Sequence, residues 1–275
     1  MINQLGGILR FFSGKPASKA CLLLAGSALA FSSASPALAE EINGVDFGVV
    51  YQGGILPADS TPAWVYASAG GSVQTPDPVE GTLQLTTTKS GGGYYTSGAG
   101  VWDGNFSEEK PGSTVEFSMK VVSQAEGADI AAASLHFSTS SMRFILNITS
   151  DKIYLSNTVS DTNSYLLDTT DAFHTIRLTL AGDGSGVVSV YVDNNPTAVL
   201  SGYMGQSSGA NNTLWWGDNS ASVGGTTQWK YLAFTNEGAF APVPEPRPIA
   251  AGLIGAAFIA WNLCAKSGAS GTKKR

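Results

Sequence analysis

The chain has 275 residues, of which 43% are hydrophobic and 13% charged, and it contains 33 glycines and 12 prolines. This composition argues against a disordered chain or a coiled coil and favours one globular domain with accessory segments. Residues 40–246 hold 21 acidic and 7 basic residues, a net charge of −14. Such an acidic body excludes nucleic acid as an expected partner. Because Cys21 and Cys264 both lie in terminal segments, no disulfide, cysteine metal cluster or thiol nucleophile is expected in the folded middle of the chain.

The N-terminus has the three parts of a secretory signal peptide. Three basic residues and no acid occur among the first 19 residues, and residues 20–31 form a short apolar run. Ala37 and Ala39 then offer the small side chains that signal peptidase requires before its cleavage site. We therefore predict a signal peptide over residues 1–39, with Glu40 as the first residue of the mature chain.

The middle of the chain alternates apolar and polar residues with the period of a β-strand. Val115, Phe117, Met119 and Val121 alternate with polar neighbours, as in a strand with one buried face. Gly182–Gly186 predicts the turn of a hairpin. Further strands are predicted at 82–88, 131–138, 142–149, 152–156, 175–180, 188–193, 213–216 and 227–235. With no sustained helical period between residues 42 and 240, the prediction is all-β: a two-sheet antiparallel jelly-roll sandwich over 60–240, after a lead segment at 40–59.

Two segments resemble laminin-G-like and concanavalin A-like domains. In residues 173–195 a hairpin ends in Tyr191-Val192-Asp193, where Asn194 stands in place of the usual glycine. Residues 215–234, which begin with Trp215-Trp216, are similar to the closing strands of such domains. The resemblance implies a concanavalin A-like jelly roll.

Catalytic groups are sparse in this pattern. Glycosidases of this fold carry Glu-x-Asp-x-Glu on one strand, which sets two carboxylates about 5 Å apart, and no such string occurs here. Glu116 is a single carboxylate on its strand. His136 and His174 lack Ser or Asp partners at a spacing that indicates a triad, so both are interpreted as structural. We therefore predict a protein that is not an enzyme, with a glycoside hydrolase or lyase as the alternative.

Carbohydrate binding is the better functional hypothesis, because sugar C–H faces stack on aromatic rings while sugar hydroxyls bond polar groups. Trp215 and Trp216 are adjacent in a strand and point to opposite faces, so at most one of them is exposed, and packing in the core is the competing interpretation for every tryptophan. The predicted ligand-binding residues are Trp102, Asp103, Arg143, Trp216, Asp218 and Asn219.

Two further expectations concern ions and charge. Asp183, Asp193 and Asp218 could ligate Ca²⁺ through oxygen, as in some laminin-G-like domains, although their spacing leaves the site undecided. A polar face carrying Glu116, Lys120, Arg143 and Arg177 beside exposed aromatics would favour binding over a purely structural role.

The C-terminus combines a proline-rich motif, an apolar segment and a basic tail. Val243-Pro244-Glu245-Pro246 precedes residues 249–265, which carry no charge and match the lower length limit of a membrane-spanning helix. Residues 266–275 hold four basic residues and no acid, which favours a cytoplasmic tail. The three parts, in this order, resemble the PEP-CTERM sorting signal. The resemblance implies recognition of the extended motif by an exosortase of an exopolysaccharide-producing bacterium.

The sequence thus predicts an exported protein, first anchored in the membrane and then sorted by an exosortase to the cell surface or matrix. Its expected partners are signal peptidase, the exosortase, the membrane through the C-terminal helix, and exopolysaccharide or another glycan. A purely structural matrix component is the main alternative.

Overall fold

The computed structural model describes residues 40–68, 70–88, 92–96, 111–124, 131–139, 141–156, 164–206, 213–218 and 224–243. Within these ranges the chain forms eighteen strands and one short 3-10 turn, Pro57–Asp59. The strands are β1 Glu40–Ile42, β2 Val45–Phe47, β3 Val49–Gln52, β4 Val65–Ser68, β5 Val73–Asp77, β6 Thr82–Thr87, β7 Gly93–Thr96, β8 Gly112–Gln124, β9 Ala133–Ser138, β10 Met142–Ile148, β11 Lys152–Ser156, β12 Ser164–Leu166, β13 His174–Ala181, β14 Val187–Val192, β15 Leu200–Tyr203, β16 Gly205–Gln206, β17 Thr213–Asp218 and β18 Gly225–Thr235.

The strands form two large sheets and one small hairpin. Sheet I has the order β12-β11-β10-β9-β17-β7-β4, and β16 pairs with β10. Sheet II has the order β15-β14-β13-β8-β18-β6-β5, and β3 pairs with β18. The pairs are antiparallel in both sheets and in the β1–β2 hairpin. The predicted all-β antiparallel sandwich is confirmed, as is the hairpin that joins β13 to β14.

The main core lies between the sheets, and Trp216 is at its centre. The Trp216 ring is fully buried. Its centroid lies 4.7 Å from that of Tyr95 in sheet I, and 4.9 Å and 5.4 Å from those of Trp229 and Tyr51 in sheet II. Aromatic pairs at such distances contribute about 0.5–1.5 kcal/mol each beyond the area that they bury. Trp216 therefore holds the two sheets together.

The central part of the outer face of sheet II, which points away from sheet I, is buried as well. Alternation in β8 predicts a polar face open to solvent, yet Thr114 and Glu116 on that face are fully buried. The C-terminal segment covers it, because Thr114 Oγ1 donates to the Gly238 carbonyl and accepts from the Phe240 N–H, both at 2.8 Å. The expectation of a solvent-facing side at this position is therefore wrong.

The segment at residues 40–59 belongs to the fold. Strand β3 extends sheet II along β18, and Val45 and Phe47 of the hairpin pack on Ala233 in a second small apolar cluster. At the hairpin turn, Asn43 and Gly44 have φ values of 49° and 78°, the left-handed conformation that tight two-residue turns require. The domain boundary predicted at residue 60 is therefore too late.

A buried ion pair lies beneath this cover. Arg177 Nε donates to Glu116 Oε2 at 2.5 Å, while Asn43 Nδ2 and the Tyr231 hydroxyl donate to Glu116 Oε1 at 2.7 Å and 2.8 Å. The other Arg177 nitrogens donate to the carbonyl oxygens of Asn43 and Phe240 at 3.1 Å and 3.3 Å. Burial and the negative charge of Glu116 raise the pKa of Tyr231, so this hydroxyl remains a donor. The network joins the hairpin and the C-terminal segment to sheet II.

The predicted signal peptide, the residues Pro244, Glu245 and Pro246, and the apolar segment 249–265 lie outside the described residues. In the part that is described, no helix is long and apolar enough to cross a membrane.

Arg177→Met should lower the free energy of unfolding by about 3–5 kcal/mol, because it leaves the Glu116 carboxylate buried without its counter-charge. Urea denaturation monitored by tryptophan fluorescence measures the change.

The matched control is the double variant Glu116→Leu with Arg177→Met, which removes both charges. It should recover a large part of the lost stability. An Arg177→Met protein as stable as the wild type would contradict a structural role for the ion pair.

Candidate functional site

The structure describes three of the predicted ligand-binding residues. Trp216 has no exposed surface, so it cannot stack on a sugar, and that prediction is wrong. Asp218 is also buried, where its Oδ2 accepts a 2.6 Å hydrogen bond from the Thr87 hydroxyl, so its prediction as a surface ligand is wrong as well. Arg143 lies partly buried on the outer face of sheet I, and its role stays a prediction. Trp102, Asp103 and Asn219 lie outside the described residues.

Trp215, the neighbour of Trp216, points outward and is partly exposed. In β17, Leu214 and Trp216 point into the core, and Thr213 and Trp215 therefore point outward. The sequence contained enough information to predict this. Leu214 is apolar and therefore predicts which face of the strand is buried, and because alternate residues share a face, Trp216 points inward with Leu214 and Trp215 points outward.

Four neighbouring strands bring aromatic and polar side chains together around Trp215. Its ring centroid lies 5.5 Å from that of Tyr94 on β7 and 5.6 Å from that of His136 on β9, with the histidine ring stacked at 29°. The register sets Trp215 opposite His136, and Arg143 on β10 lies diagonal to His136 on the same face. We call Tyr94, His136, Arg143 and Trp215 the Trp215 patch.

His136 is the most buried member of the patch. It is 8% exposed, and its Nδ1 has no hydrogen-bond partner among the described residues. Burial, and then the positive charge of Arg143, lower its pKa to about 4, so the ring is neutral at pH 7. A neutral imidazole has one N–H donor and one acceptor nitrogen. The patch therefore offers a ligand a hydrogen-bonding group in a poorly hydrated position.

Polar groups lie beside the rings. Ser134 and Ser138 flank His136 on the outward side of β9, where both are buried. Asn147 on β10 donates to the Ser156 hydroxyl at 2.8 Å, which orients its amide on the same face. Aromatic surface next to hydroxyl and amide groups is the mixture that the sequence predicts for sugar binding, although different residues supply it.

The charged residues expected to share one polar face are divided between the sheets. Glu116 and Arg177 form the buried pair on sheet II, and Arg143 lies on sheet I. Lys120 lies with Lys230 over the Phe173 ring, with their Nζ atoms 5.1 Å and 4.4 Å from its centroid. A common binding face for these residues is therefore excluded.

The three aspartates considered for calcium lie apart from one another. Asp183 and Asp193 occur at opposite ends of β14, about 20 Å apart for six residues of strand, and Asp218 belongs to the other sheet. Each has its own partner: Ser185 N–H for Asp183, His174 and Thr175 for Asp193, and Thr87 for Asp218. They do not form one site. Among the described residues, no group of three or more His, Cys, Asp or Glu could hold a metal ion.

A concavity of about 320 Å³ lies at one end of sheet II. Its lining offers hydroxyl, amide and backbone groups but neither an aromatic ring nor a charge. It therefore offers a ligand fewer kinds of contact than the Trp215 patch does. Its lining residues are Thr86, Thr87, Thr88, Ser123, Gln124, Gly224, Gly225 and Thr226.

No protein-family model and no curated protein sequence matches the chain. Among solved structures, a conserved carbohydrate esterase of the Shiga toxin-encoding bacteriophage phi24B is similar at 17% identity and a TM-score of 0.45, covering 70% of this chain and 98% of that one. A protein of unknown function from Shewanella oneidensis MR-1 is similar at 14% identity and a TM-score of 0.45, covering 70% and 88%. The carbohydrate recognition domain of Emp46p follows at 13% identity and a TM-score of 0.40, covering 66% and 92%. With all TM-scores below 0.5, these likenesses assign this chain neither a family nor a ligand.

The depressed pKa of His136 predicts a loss of stability in acid. The unfolded chain binds a proton at this residue below pH 6.5, whereas the folded protein resists protonation until about pH 4. The free energy of unfolding should therefore fall as the pH drops through this window, by up to about 3 kcal/mol. Urea denaturation at a series of pH values gives the free energy of unfolding of the wild type and of His136→Gln as a function of pH. The contribution of His136 is the difference between these two curves.

His174→Gln is the matched control because its effect has the opposite sign. Burial opposes protonation of His174, but hydrogen bonds to Asp193 and Asp171 raise its pKa. Its contribution is full in acid and is lost as the pH rises through the raised pKa. If the His136→Gln curve runs parallel to that of the wild type, the buried neutral state of His136 is refuted.

Proposed function

We propose that this chain is an exported, non-catalytic glycan-binding protein whose sandwich is a concanavalin A-like jelly roll and whose binding surface is the Trp215 patch. The observation that carries the proposal is the partly exposed Trp215 ring between Tyr94 and His136, on a face lined with hydroxyl and amide groups. Rings take the apolar face of a sugar, and the surrounding polar groups take its hydroxyls.

The same face supports binding over hydrolysis of glycosidic bonds. Hydrolysis by the common mechanism needs two carboxylates on opposite sides of the bond. In the described strands of sheet I the one carboxylate belongs to Asp218, whose side chain is buried on the core side. Glu116, on the other sheet, is bound to Arg177 and enclosed. A purely structural matrix protein remains the second candidate, and the binding experiment separates the two.

Trp215→Ala should weaken glycan binding by about tenfold or more, because truncating a central aromatic contact typically costs more than 1 kcal/mol. A glycan array probed with the full chain, with and without calcium, finds the ligands, and titration of the best one with wild type and variant gives the ratio.

Tyr203→Ala is the matched control, since Tyr203 is an aromatic residue on sheet II that is 54% exposed. This variant should bind as the wild type does. Wild-type protein that binds no glycan would favour the structural candidate, and Trp215→Ala binding at full strength would refute the proposed surface.

The proposal includes export and sorting. Signal peptidase acts after Ala39, an exosortase recognises Pro244-Glu245-Pro246, and residues 249–265 anchor the chain in the membrane before processing. Its support is the order of the three C-terminal parts in the sequence, together with the position of Val243, which is 77% exposed beyond the last strand of sheet II. The final location is the cell surface or the extracellular matrix.

Glu245→Ala should accumulate as the unprocessed, membrane-held form, because it changes the recognition motif and leaves the sequence of the sandwich unchanged. Blots of membrane and culture fractions from a host that carries the exosortase measure the ratio of the two forms.

Glu237→Ala is the matched control, since it removes an exposed carboxylate upstream of the motif. It should be processed as the wild type is. Normal release of the Glu245→Ala protein would refute the sorting assignment.

A further inference from the structure

The turn of the β1–β2 hairpin contains the one Asn-Gly dipeptide of the chain, Asn43-Gly44. In such a dipeptide the backbone nitrogen of the glycine can attack the side-chain amide carbon of the asparagine, because glycine has no side chain to obstruct the approach. The amide nitrogen leaves as ammonia with the proton of the glycine N–H, and a cyclic imide forms. Water then opens the imide to aspartate or isoaspartate. The reaction, a deamidation, consumes only water.

The folded structure restrains Asn43 at the atoms that this reaction uses. Its Nδ2, the atom that would leave as ammonia, donates to Glu116 Oε1 at 2.7 Å, and its backbone carbonyl accepts from Arg177 at 3.1 Å. The left-handed φ values of 49° and 78° at Asn43 and Gly44 belong to the same tight turn. The side chain must release Glu116 before its amide carbon can turn toward the Gly44 nitrogen. The closed hairpin therefore protects the amide.

The hairpin can open without unfolding of the sandwich. Strands β1 and β2 form a two-stranded sheet of their own, so their backbone ladder does not continue into sheet II. Val45 and Phe47 pack on Ala233 in the small apolar cluster, apart from the main core. A unit with few such contacts opens at a lower free energy than a core strand does. In the open state the amide of Asn43 is free to react.

Deamidation would replace a hydrogen-bond donor with a negative charge. Glu116 is fully buried, and its Oε1 accepts hydrogen bonds from Asn43 and from the Tyr231 hydroxyl. An aspartate in place of Asn43 would set a second carboxylate against this oxygen, and two carboxylates in a buried site repel each other. Isoaspartate would also add one backbone atom to the two-residue turn, in which Ile42 pairs with Val45. Neither product can reform the bonds of the closed hairpin.

We infer that Asn43 is a deamidation site and that its modification is a one-way switch. The amide is protected while the hairpin is closed, reacts when the hairpin opens, and then prevents the hairpin from closing again over Glu116 and Arg177. The inference goes beyond glycan binding and does not rest on it, because the Trp215 patch belongs to the other sheet.

The first test measures the rate of deamidation. The full chain is incubated in mildly alkaline buffer, with and without urea at an unfolding concentration, and the peptide that contains Asn43 is followed by mass spectrometry. Unfolding should raise the rate about tenfold or more, because the folded protein reacts only from its open state. Asn194 is an internal control. It also has a left-handed φ, of 57°, but Asn195 follows it instead of glycine, so it should stay unmodified.

Variants assign the protection to the hairpin. The double variant Glu116→Leu with Arg177→Met removes both partners of Asn43, so it should deamidate faster than the wild type without urea. Tyr203→Ala is the matched control, because it changes an exposed ring on β15, and it should deamidate at the wild-type rate.

The second test measures the effect of the product. Asn43→Asp introduces the aspartate directly, and Asn43→Gly is its matched control, since glycine tolerates the φ of 49° and adds no charge. In hydrogen–deuterium exchange of the full chain, the amides of β1 and β2 should exchange about tenfold or more faster in Asn43→Asp than in Asn43→Gly. The amides of β9 and β10 in sheet I should be the same in both. If Asn43→Asp does not fold, the modified fraction of aged wild-type protein supplies the same comparison.

Each part of the inference can fail separately. If Asn43 stays intact in the unfolded chain, it is not a deamidation site. If it reacts as fast in the folded protein as in urea, the hairpin gives no protection. If β1 and β2 exchange equally in Asn43→Asp and Asn43→Gly, the modification does not hold the hairpin open. Any of these results overturns the switch and leaves the proposed glycan binding unaffected.

Discussion

The arrangement of this protein depends on one buried ion pair, between Glu116 and Arg177 on the outer face of sheet II. Two charges can remain buried there because Asn43, Tyr231 and the carbonyl of Phe240 satisfy the remaining donors and acceptors. The same hydrogen bonds explain why the hairpin and the C-terminal segment occupy this face. A different segment in their place would leave the two charges without these partners. The hairpin that begins at Glu40 and the segment that leads to Val243 are therefore bound to one guanidinium group.

Covering part of one face of the sandwich limits where a ligand can bind. The hairpin and the C-terminal segment cover the outer face of sheet II around Glu116 and Arg177, whereas sheet I presents partly exposed aromatic and polar side chains. The consecutive residues Trp215 and Trp216 show the division within a single strand. One ring joins the two sheets in the core, and the other lies between Tyr94 and His136 on the outside. The strand that organises the core thus also positions the candidate site.

Regular alternation is the part of the sequence that predicted structure well. Strands β8, β10, β13 and β14 were predicted because several apolar residues repeat with a period of two. Strands β4, β5 and β7 were missed because they have four or five residues, with proline, glycine or exposed positions that obscure the period. The hairpin β1–β2 had a usable signal in Asn43-Gly44, the dipeptide typical of type I′ turns. The polar face of β8 was predicted as solvent-exposed because its cover comes from Asn43, 73 residues away from Glu116 in the chain.

The sequence by itself determined the all-β class and the strands with strict alternation, and it carries the terminal patterns from which export and sorting are proposed. These properties depend on residues close together along the chain, where the period of two of a strand or the length of an apolar run is visible directly. Only the tertiary structure decided that Glu116 and Arg177 pair, that Trp216 is core, and that four strands bring Tyr94, His136, Arg143 and Trp215 to one patch. Burial and charge at those positions depend on which strands are neighbours, and that order is set by packing between distant parts of the chain.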